Sequence, residues 1–249
     1  LHLGDRRQRQ MCIRDSQKTY TLHGKAYPME IHGFVRHAQM TVEEQEATGC
    51  CFLLTDSPET LAIYPYSFAF RIRYTLKGQT LQVAFQVENR SAEPLYCGMG
   101  GHPGFNVPME EGLSFEDYEL TFPEACTPSR VIFSPALQVA PERLAYPLVE
   151  GRKLPLQHQL FDADAVVLAG APRQVTLSSP KGSHGVTVSY PQMPYVGFWH
   201  KPQTDAPYVC MEPWSILPGR DSLVEELSQM PDITTVAPGE TFENRWSIT

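Results

Sequence analysis

Residues 68–88 read FAFRIRYTLKGQTLQVAFQVE, a stretch in which apolar and polar side chains alternate. Residues 68–76 and 81–87 each place aromatic and aliphatic side chains on one face and mostly polar side chains on the other. Alternation with a period of two is typical of a half-buried strand. The short segment between the two runs contains Gly78, as expected for a tight connection. The stretch therefore predicts an antiparallel β-hairpin.

The rest of the chain contains further short apolar runs, separated mainly by proline or glycine clusters. We predict strands at residues 166–168, 174–177, 185–190, 195–199, 208–212 and 242–248. The one helix that we predict covers residues 222–230, where Ser222 and Glu225 have the spacing of a capping box. Many short strands with one helix indicate an all-β fold, a large antiparallel β-sandwich with few short helices.

Length, charge and cysteine content restrict the class of protein. A chain of 249 residues can bury a substantial core, and we find no internal repeat or linker, so one domain is the simplest organisation. The net charge of −8 argues against nucleic-acid binding, which needs a basic face. Six cysteines without C-x-x-C spacing, and no visible secretory signal or membrane span, favour a cytoplasmic protein with reduced thiols and no membrane partner.

The first sixteen residues differ from the rest of the chain. Removing their four arginines and two aspartates from the totals of 20 basic and 28 acidic residues leaves 16 and 26, a net charge of −10 for residues 17–249. A basic arm for nucleic acid is one interpretation. We favour a non-native leader and assign residues 17–249 to the single domain.

Residues 100–106 read GGHPGFN and contain three glycines and a proline. This composition prevents a regular helix and predicts a tight turn that holds His102 at a fixed angle over a cleft. Histidine is the side chain best suited to proton transfer near neutral pH. The alternative is a surface turn that happens to contain a histidine.

Several motifs of other chemistries are absent from the sequence. The glycines before His102 do not complete a G-x-G-x-x-G fingerprint, because Pro103 stands where the last glycine is required. No G-x-x-x-x-G-K-[ST] phosphate loop and no G-x-S-x-G nucleophile elbow occurs. No H-x-x-x-H or Cys/His spacing typical of a metal site is present, so we expect no metal.

Two other stretches contain candidate site residues. Glu212 ends a mostly apolar predicted strand, where a carboxylate is uncommon unless it is paired or functional. The alternative is a strand-end carboxylate that faces water. Earlier in the chain, His32 and Arg36 surround a turn at Gly33, although a histidine in such a place is more often an ordinary loop residue.

Four motifs in this order resemble the aldose 1-epimerase (mutarotase) family, in particular its bacterial branch of shorter homologues. They are HGFVR (residues 32–36), YPYSF (64–68), GHPGF (101–105) and CMEPW (210–214). The resemblance extends from about residue 24 to the C-terminus. It implies a galactose mutarotase-like β-sandwich with a sugar cleft across one sheet, and interconversion of the α and β anomers of a free aldose.

The resemblance also implies roles for individual residues. Glu212 would be the general base that takes the proton from the C1 hydroxyl, and His102 the general acid that protonates the ring oxygen. His32 matches the family's other site histidine, which hydrogen-bonds the sugar near the ring oxygen. No metal or organic cofactor is implied.

Further sugar-binding residues are less clearly marked. Arg36 is a weaker candidate for a hydroxyl contact, with a surface charge as the alternative. Asp164 lies where the family tends to carry an aspartate that holds sugar hydroxyls, and Asp162 is close enough in sequence to take that role instead. Trp199 and Trp214 can stack on a sugar face, although core packing suits at least one of them better. His200, next to Trp199, is equally ambiguous.

The chain departs from the family pattern before residue 32. Members of this branch usually have about fifty more residues before the HGF motif, which supply the opening strands and a sugar-binding arginine. We therefore expect an N-terminally truncated domain. Arg71 and Arg73 cannot replace that arginine, because they lie on the polar face of the hairpin.

The resemblance leaves alternatives for the function. A hexose 6-phosphate 1-epimerase requires a basic cluster for the phosphate, and the sequence shows no convincing one. A non-catalytic carbohydrate-binding or regulatory protein would keep the cleft without turnover, and a purely structural β-sandwich would not bind sugar. The expected partner is a small sugar, and we expect a monomer or weak dimer.

Overall fold

The computed structural model describes residues 19–30, 32–221 and 223–249, which form two large antiparallel sheets and two small ones. The predicted leader, residues 1–16, lies outside the described residues. In chain order the strands are β1 (Thr19–Leu22), β2 (Lys25–Pro28), β3 (Thr41–Glu46), β4 (Gly49–Thr55), β5 (Phe68–Lys77), β6 (Thr80–Asn89), β7 (Leu95–Cys97), β8 (Gly104–Asn106), β9 (Glu119–Thr121), β10 (Ser129–Phe133), β11 (Val139–Ala145), β12 (Lys153–Pro155), β13 (Val166–Ala169), β14 (Gln174–Ser178), β15 (Gly185–Ser189), β16 (Tyr195–Trp199), β17 (Tyr208–Trp214), β18 (Thr234–Val236) and β19 (Thr241–Ile248).

The two large sheets contain nine and six strands. The nine-stranded sheet has the order β12-β9-β14-β15-β19-β6-β5-β4-β3, and the six-stranded sheet has the order β11-β10-β13-β16-β17-β8. Strands β1 and β2 form one small sheet, and β7 and β18 form the other. The predicted β-sandwich is confirmed.

The predicted hairpin lies inside the larger sheet, between β19 and β4. Strands β5 and β6 pair over their full length, from Phe68 opposite Asn89 to Lys77 opposite Thr80. Gly78 has a φ of +60°, a left-handed value that glycine adopts without steric cost and that a two-residue hairpin connection requires. The alternation of residue types thus sets both the strands and their register.

The main core lies between the two large sheets. Ile72 and Phe85 point into it from the hairpin, and Phe198 and Met211 point into it from the six-stranded sheet. A separate apolar cluster covers part of the other face of the six-stranded sheet, which we call the outer face. This outer-face cluster consists of the buried residues Val131, Val139, Val167, Trp214 and Leu217.

The polar face of the hairpin points away from the core, as predicted. Arg71 binds the carboxylate of Glu43 at 2.8 Å, and Arg73 binds that of Glu44 at 2.5 Å. These partners come from the edge strand β3, so both arginines are held on the outside of the nine-stranded sheet.

The helical content differs from the prediction. The described residues contain one α-helix, α1 (Pro58–Ile63), which begins with Ser57 as N-cap and was not predicted. Single turns of 3-10 helix occur at Val35–His37, Phe115–Asp117, His158–Phe161 and Leu227–Gln229. No helix in the described part of the chain is long and apolar enough to cross a membrane.

The predicted helix at 222–230 is wrong, and only Leu227–Gln229 within it is helical. Ser222 lies outside the described residues. Glu225 does not act as a capping residue, because its buried carboxylate accepts hydrogen bonds from the backbone N–H and the Nε of Arg220. An ion pair with a residue five positions earlier in the chain thus engages the carboxylate that the prediction assigned to a helix cap.

We expect Ile72→Ala to lower the free energy of unfolding by about 2–5 kcal/mol, because Ile72 is fully buried between the sheets. Leu76→Ala is the matched control, since Leu76 lies on the same face of β5 but is 48% exposed, and it should cost less than about 1 kcal/mol. Urea unfolding of both variants measures the difference. Equal losses would contradict the assignment of the core.

Candidate active site

Residues 100–106 form an extended segment, so the tight turn predicted from their composition is wrong. None of the glycines in this segment has a left-handed φ. Close packing accounts for two of them instead. A Cβ atom on Gly100 would lie 2.9 Å from Cδ1 of Trp214, and one on Gly101 would lie 2.7 Å from Cζ2 of Trp246. Glycine is required here because two indole rings pack directly against the backbone.

The extended segment continues the edge of the six-stranded sheet along β17. A bridge pairs Gly100 with Trp214, and β8 pairs Gly104 with Cys210. Both pairs belong to one antiparallel register. The two residues midway between them therefore also lie opposite each other.

Backbone hydrogen bonds on both sides of this midway position fix the register. The Gly101 N–H donates to the carbonyl oxygen of Pro213 at 3.0 Å, and the Met211 N–H donates to that of Pro103 at 3.1 Å. Each pair makes one bond only, since proline has no N–H to donate. In an antiparallel sheet the position between two such pairs is not hydrogen-bonded, and its side chains approach closely, with Cα atoms about 4.5 Å apart.

His102 and Glu212 occupy this position. Nε2 of His102 lies 3.2 Å from Oε1 of Glu212, and the two side chains are 13% and 4% exposed. The two residues predicted to exchange protons with a substrate are thus direct neighbours across two strands. Successive side chains along a strand point to opposite faces, and Met211 points into the core. Its neighbour Glu212, and His102 opposite it, therefore lie on the outer face of the sheet.

The surroundings of Glu212 favour its neutral form. Burial raises the pKa of this carboxyl to about 8. The carboxylate of Asp164 raises this pKa further. The nearby indole of Trp214 lowers it, although the indole N–H makes no hydrogen bond of normal geometry. Glu212 can therefore gain and lose a proton close to neutral pH.

Two aromatic rings flank His102. The ring centroids of His32 and His102 are 6.3 Å apart, and those of Trp199 and His102 are 5.8 Å apart, both in edge-on arrangements. His32 and Gly33 have φ values of +66° and +65°, so the chain turns sharply where it reaches the site. The structure thus brings the predicted His32 close to His102, with a half-buried Trp199 also beside that ring.

The structure distinguishes the two candidate aspartates. Asp164 is half-buried and lies close enough to Glu212 to raise its pKa, whereas Asp162 is exposed. The φ of Asp164 is +91°, and its carboxylate accepts a hydrogen bond from the Ala165 N–H at 2.7 Å. A left-handed φ at a residue other than glycine is often found at functional sites, which favours Asp164 over Asp162 as the site residue.

Arg36 has a different position from the other candidates. It lies in the 3-10 turn Val35–His37, and its Nε–H donates a hydrogen bond to Nε2 of His37 at 2.7 Å in an exposed environment. This contact gives Arg36 no link to His102 or Glu212.

His200 is a buried structural residue. Its Nδ1 lies 2.8 Å from the carbonyl oxygen of Lys201 and therefore carries the proton, so Nε2 accepts a hydrogen bond from Nδ1 of His158 at 3.1 Å. The rings of Phe115 and Phe161 pack against it, and burial lowers its pKa.

Of the two candidate tryptophans, Trp214 packs in the outer-face cluster, which leaves Trp199 as the more open one.

Two further residues border the pair and were not predicted. Cys210 shares the outer face with Glu212, and its Sγ, Nε2 or Nδ1 of His102 and a carboxylate oxygen of Glu212 all lie within 4.8 Å of one another. The sequence contains a signal for Cys210, because residues two positions apart on a strand share one face and Cys210 is two positions before Glu212. Gly197 lies opposite Glu212 on β16, where a Cβ atom would be 3.2 Å from Cζ2 of Trp214. No local sequence signal marks that packing.

Comparison with known proteins identifies relatives over almost the whole chain. The family model for aldose 1-epimerase matches residues 10–249. The chromosomal LacX protein of Lactococcus lactis subsp. lactis is 34% identical over 228 residues, which cover 88% of this chain and 74% of that protein.

Solved structures with similar folds agree with this match. A galactose mutarotase related enzyme from Lactobacillus acidophilus superposes with a TM-score of 0.90 and 31% identity, covering 96% of this chain and 80% of that one. A galactose mutarotase-like protein from Lactobacillus casei superposes with a TM-score of 0.88 and 28% identity, covering 96% and 82%. By sequence and by fold, the chain belongs to the aldose 1-epimerase family.

Proposed function

We propose that the protein interconverts the α and β anomers of a free aldose by acid–base ring opening. The observation that carries this proposal is the buried pair of His102 and Glu212, 3.2 Å apart on one face of the sheet. The reaction needs one group that takes a proton from the C1 hydroxyl and another that gives a proton to the ring oxygen. A carboxyl and an imidazole in hydrogen-bonding contact supply both.

In the first half of the reaction the ring opens. The carboxylate of Glu212 takes the proton from the C1 hydroxyl, and the electron pair of that O–H bond forms the carbonyl double bond. The bond between C1 and the ring oxygen breaks, and the ring oxygen takes a proton from the imidazolium of His102. The product is the open-chain aldehyde with a free hydroxyl at the former ring oxygen.

The second half reverses these transfers after rotation about C1–C2. The hydroxyl attacks the other face of the carbonyl and returns its proton to His102, and the carbonyl oxygen takes the proton held by Glu212. Both residues end in their starting states, so the reaction consumes no cofactor. The raised pKa of Glu212 supports this role, because general acids and bases work best when their pKa is close to the working pH.

The residues around the pair provide the sugar contacts in this proposal. His32 donates a hydrogen bond near the ring oxygen, and Asp164 holds sugar hydroxyls. Trp199 offers an indole face for stacking on the apolar side of a sugar ring. Arg36 stays a weaker candidate, because its observed hydrogen bond goes to His37.

Glu212→Gln should lower kcat by about 10²–10⁴-fold, because it removes the base and leaves the shape of the site nearly unchanged. Polarimetry on fresh α-D-glucose, α-D-galactose and glucose 6-phosphate measures this and identifies the class of sugar. Glu225→Gln is the matched control, since Glu225 is a buried glutamate paired with Arg220. A sugar that binds with saturation but whose anomers exchange no faster with the unmodified chain would instead favour a binding protein.

The pH dependence tests the protonation state of Glu212. We expect the acid limb of kcat/KM, corrected for the spontaneous reaction, to be centred near pH 8, because Glu212 acts as base only as the carboxylate and its pKa is about 8. Asp164→Asn removes a negative charge that raises this pKa, so the limb should move to lower pH. A limb near the ordinary value of 4.5, unchanged in Asp164→Asn, would contradict the account.

A further inference from the structure

The thiol of Cys210 lies beside the acid–base pair and has no part in the proposed reaction. Cys210 is two residues before Glu212 on β17, on the same face of the sheet, and is 5% exposed. Gly104 lies directly opposite, where a Cβ atom would be 3.4 Å from Sγ. Because Gly104 is exposed and has no side chain, the sulfur is covered by little more than backbone on that side.

Cys210 completes a set of three potential metal ligands of different types. The ligand atoms of His102, Cys210 and Glu212 all lie within 4.8 Å of one another. Zinc bonds to sulfur, nitrogen and oxygen are about 2.0–2.3 Å long, so neighbouring ligands in a tetrahedral site are roughly 3.5 Å apart. The three side chains share one face of the sheet, and their ligand atoms would have to approach one another by at most about 1.3 Å to reach that spacing.

The ligand set also indicates which ions would bind. A thiolate together with an imidazole and one carboxylate favours a thiophilic ion over magnesium or calcium, which prefer oxygen ligands only. Three protein ligands leave the fourth tetrahedral position open to solvent or another small ligand. Two ligands two residues apart on one strand, with the third from the neighbouring strand, hold the ion against a rigid sheet.

We propose that His102, Cys210 and Glu212 bind a thiophilic divalent cation such as Zn²⁺, and that the bound ion inhibits the enzyme. The inhibition rests on the proposed function. An ion on Nε2 of His102 or on the Glu212 carboxylate occupies the electron pair that proton transfer requires, so ring opening stops while the ion is bound. The metal is thus an inhibitor of this site and has no role in the reaction.

Direct metal binding is the first test, and it does not depend on activity. Titration with Co²⁺ should give one bound ion per chain with a thiolate-to-cobalt charge-transfer band in the near ultraviolet, which excess Zn²⁺ abolishes by displacing the cobalt. Cys210→Ser should lose the band. Cys51→Ser is the matched control and should keep it, since Cys51 also contacts a carboxylate, with Sγ 3.5 Å from Oε2 of Glu43.

A band that persists in Cys210→Ser, or the absence of any band in the unmodified chain, would overturn the proposal. Cys210→Ala provides a second variant, and thermal unfolding of both variants shows that the loss of binding is not a loss of fold. His102→Asn should weaken Co²⁺ binding at least about 10-fold, because it removes a nitrogen ligand and loss of even a supporting residue costs about that much.

The inhibition is tested separately by polarimetry. Micromolar Zn²⁺ should inhibit the unmodified chain reversibly, with recovery on addition of EDTA, and Cys210→Ser should need at least about 10-fold more Zn²⁺ for the same inhibition. Equal sensitivity of the two proteins would show that Zn²⁺ acts elsewhere and overturn the proposed inhibition. If the unmodified chain does not catalyse anomer exchange, the proposed function fails, whereas the cobalt titration still decides whether the metal site exists.

Discussion

The antiparallel register between the glycine-rich segment and β17 is the constraint on which the whole site depends. Hydrogen bonds at Gly101 and Met211 fix this register on either side of one cross-strand position. That position holds His102 and Glu212, which therefore meet although they are 110 positions apart in the chain. A slip of one residue would turn one of the two side chains to the opposite face of the sheet. The contact between His102 and Glu212 is thus a consequence of strand pairing.

Placing a carboxyl in this position costs stability. Burial raises the pKa of Glu212 to about 8 from 4.5, so the folded chain holds this proton more tightly than the unfolded chain does. At low pH Glu212 is neutral in both states, and the fold does not have to bury a charge. As the pH rises from about 4.5 through 8, the unfolded chain loses this proton more readily than the folded chain, so the free energy of unfolding falls. The nearby charge of Asp164 acts in the same direction.

Local patterns predicted some of the features that depend on neighbours in sequence, although they missed α1 with its N-cap Ser57. The alternation in β5 and β6 indicates their hairpin, and the apolar run before Glu212 indicates β17. Features that depend on distant partners were missed or misread. The glycine at 101 is needed for contact with the ring of Trp246, 145 residues away, and not for a turn. Strand β3 escapes prediction because all six of its residues are exposed, and it is held by pairing with β4 at the sheet edge.

The cross-strand pair acts as one catalytic unit in this account, and a double-mutant comparison of kcat tests that claim most directly. His102→Asn, Glu212→Gln and the double variant are compared with the unmodified chain by polarimetry on the preferred aldose. Because neither residue can complete the proton transfers alone, each single variant should lose nearly as much activity as the double variant. Losses that multiply in the double variant would show that the two residues act independently and would contradict the account.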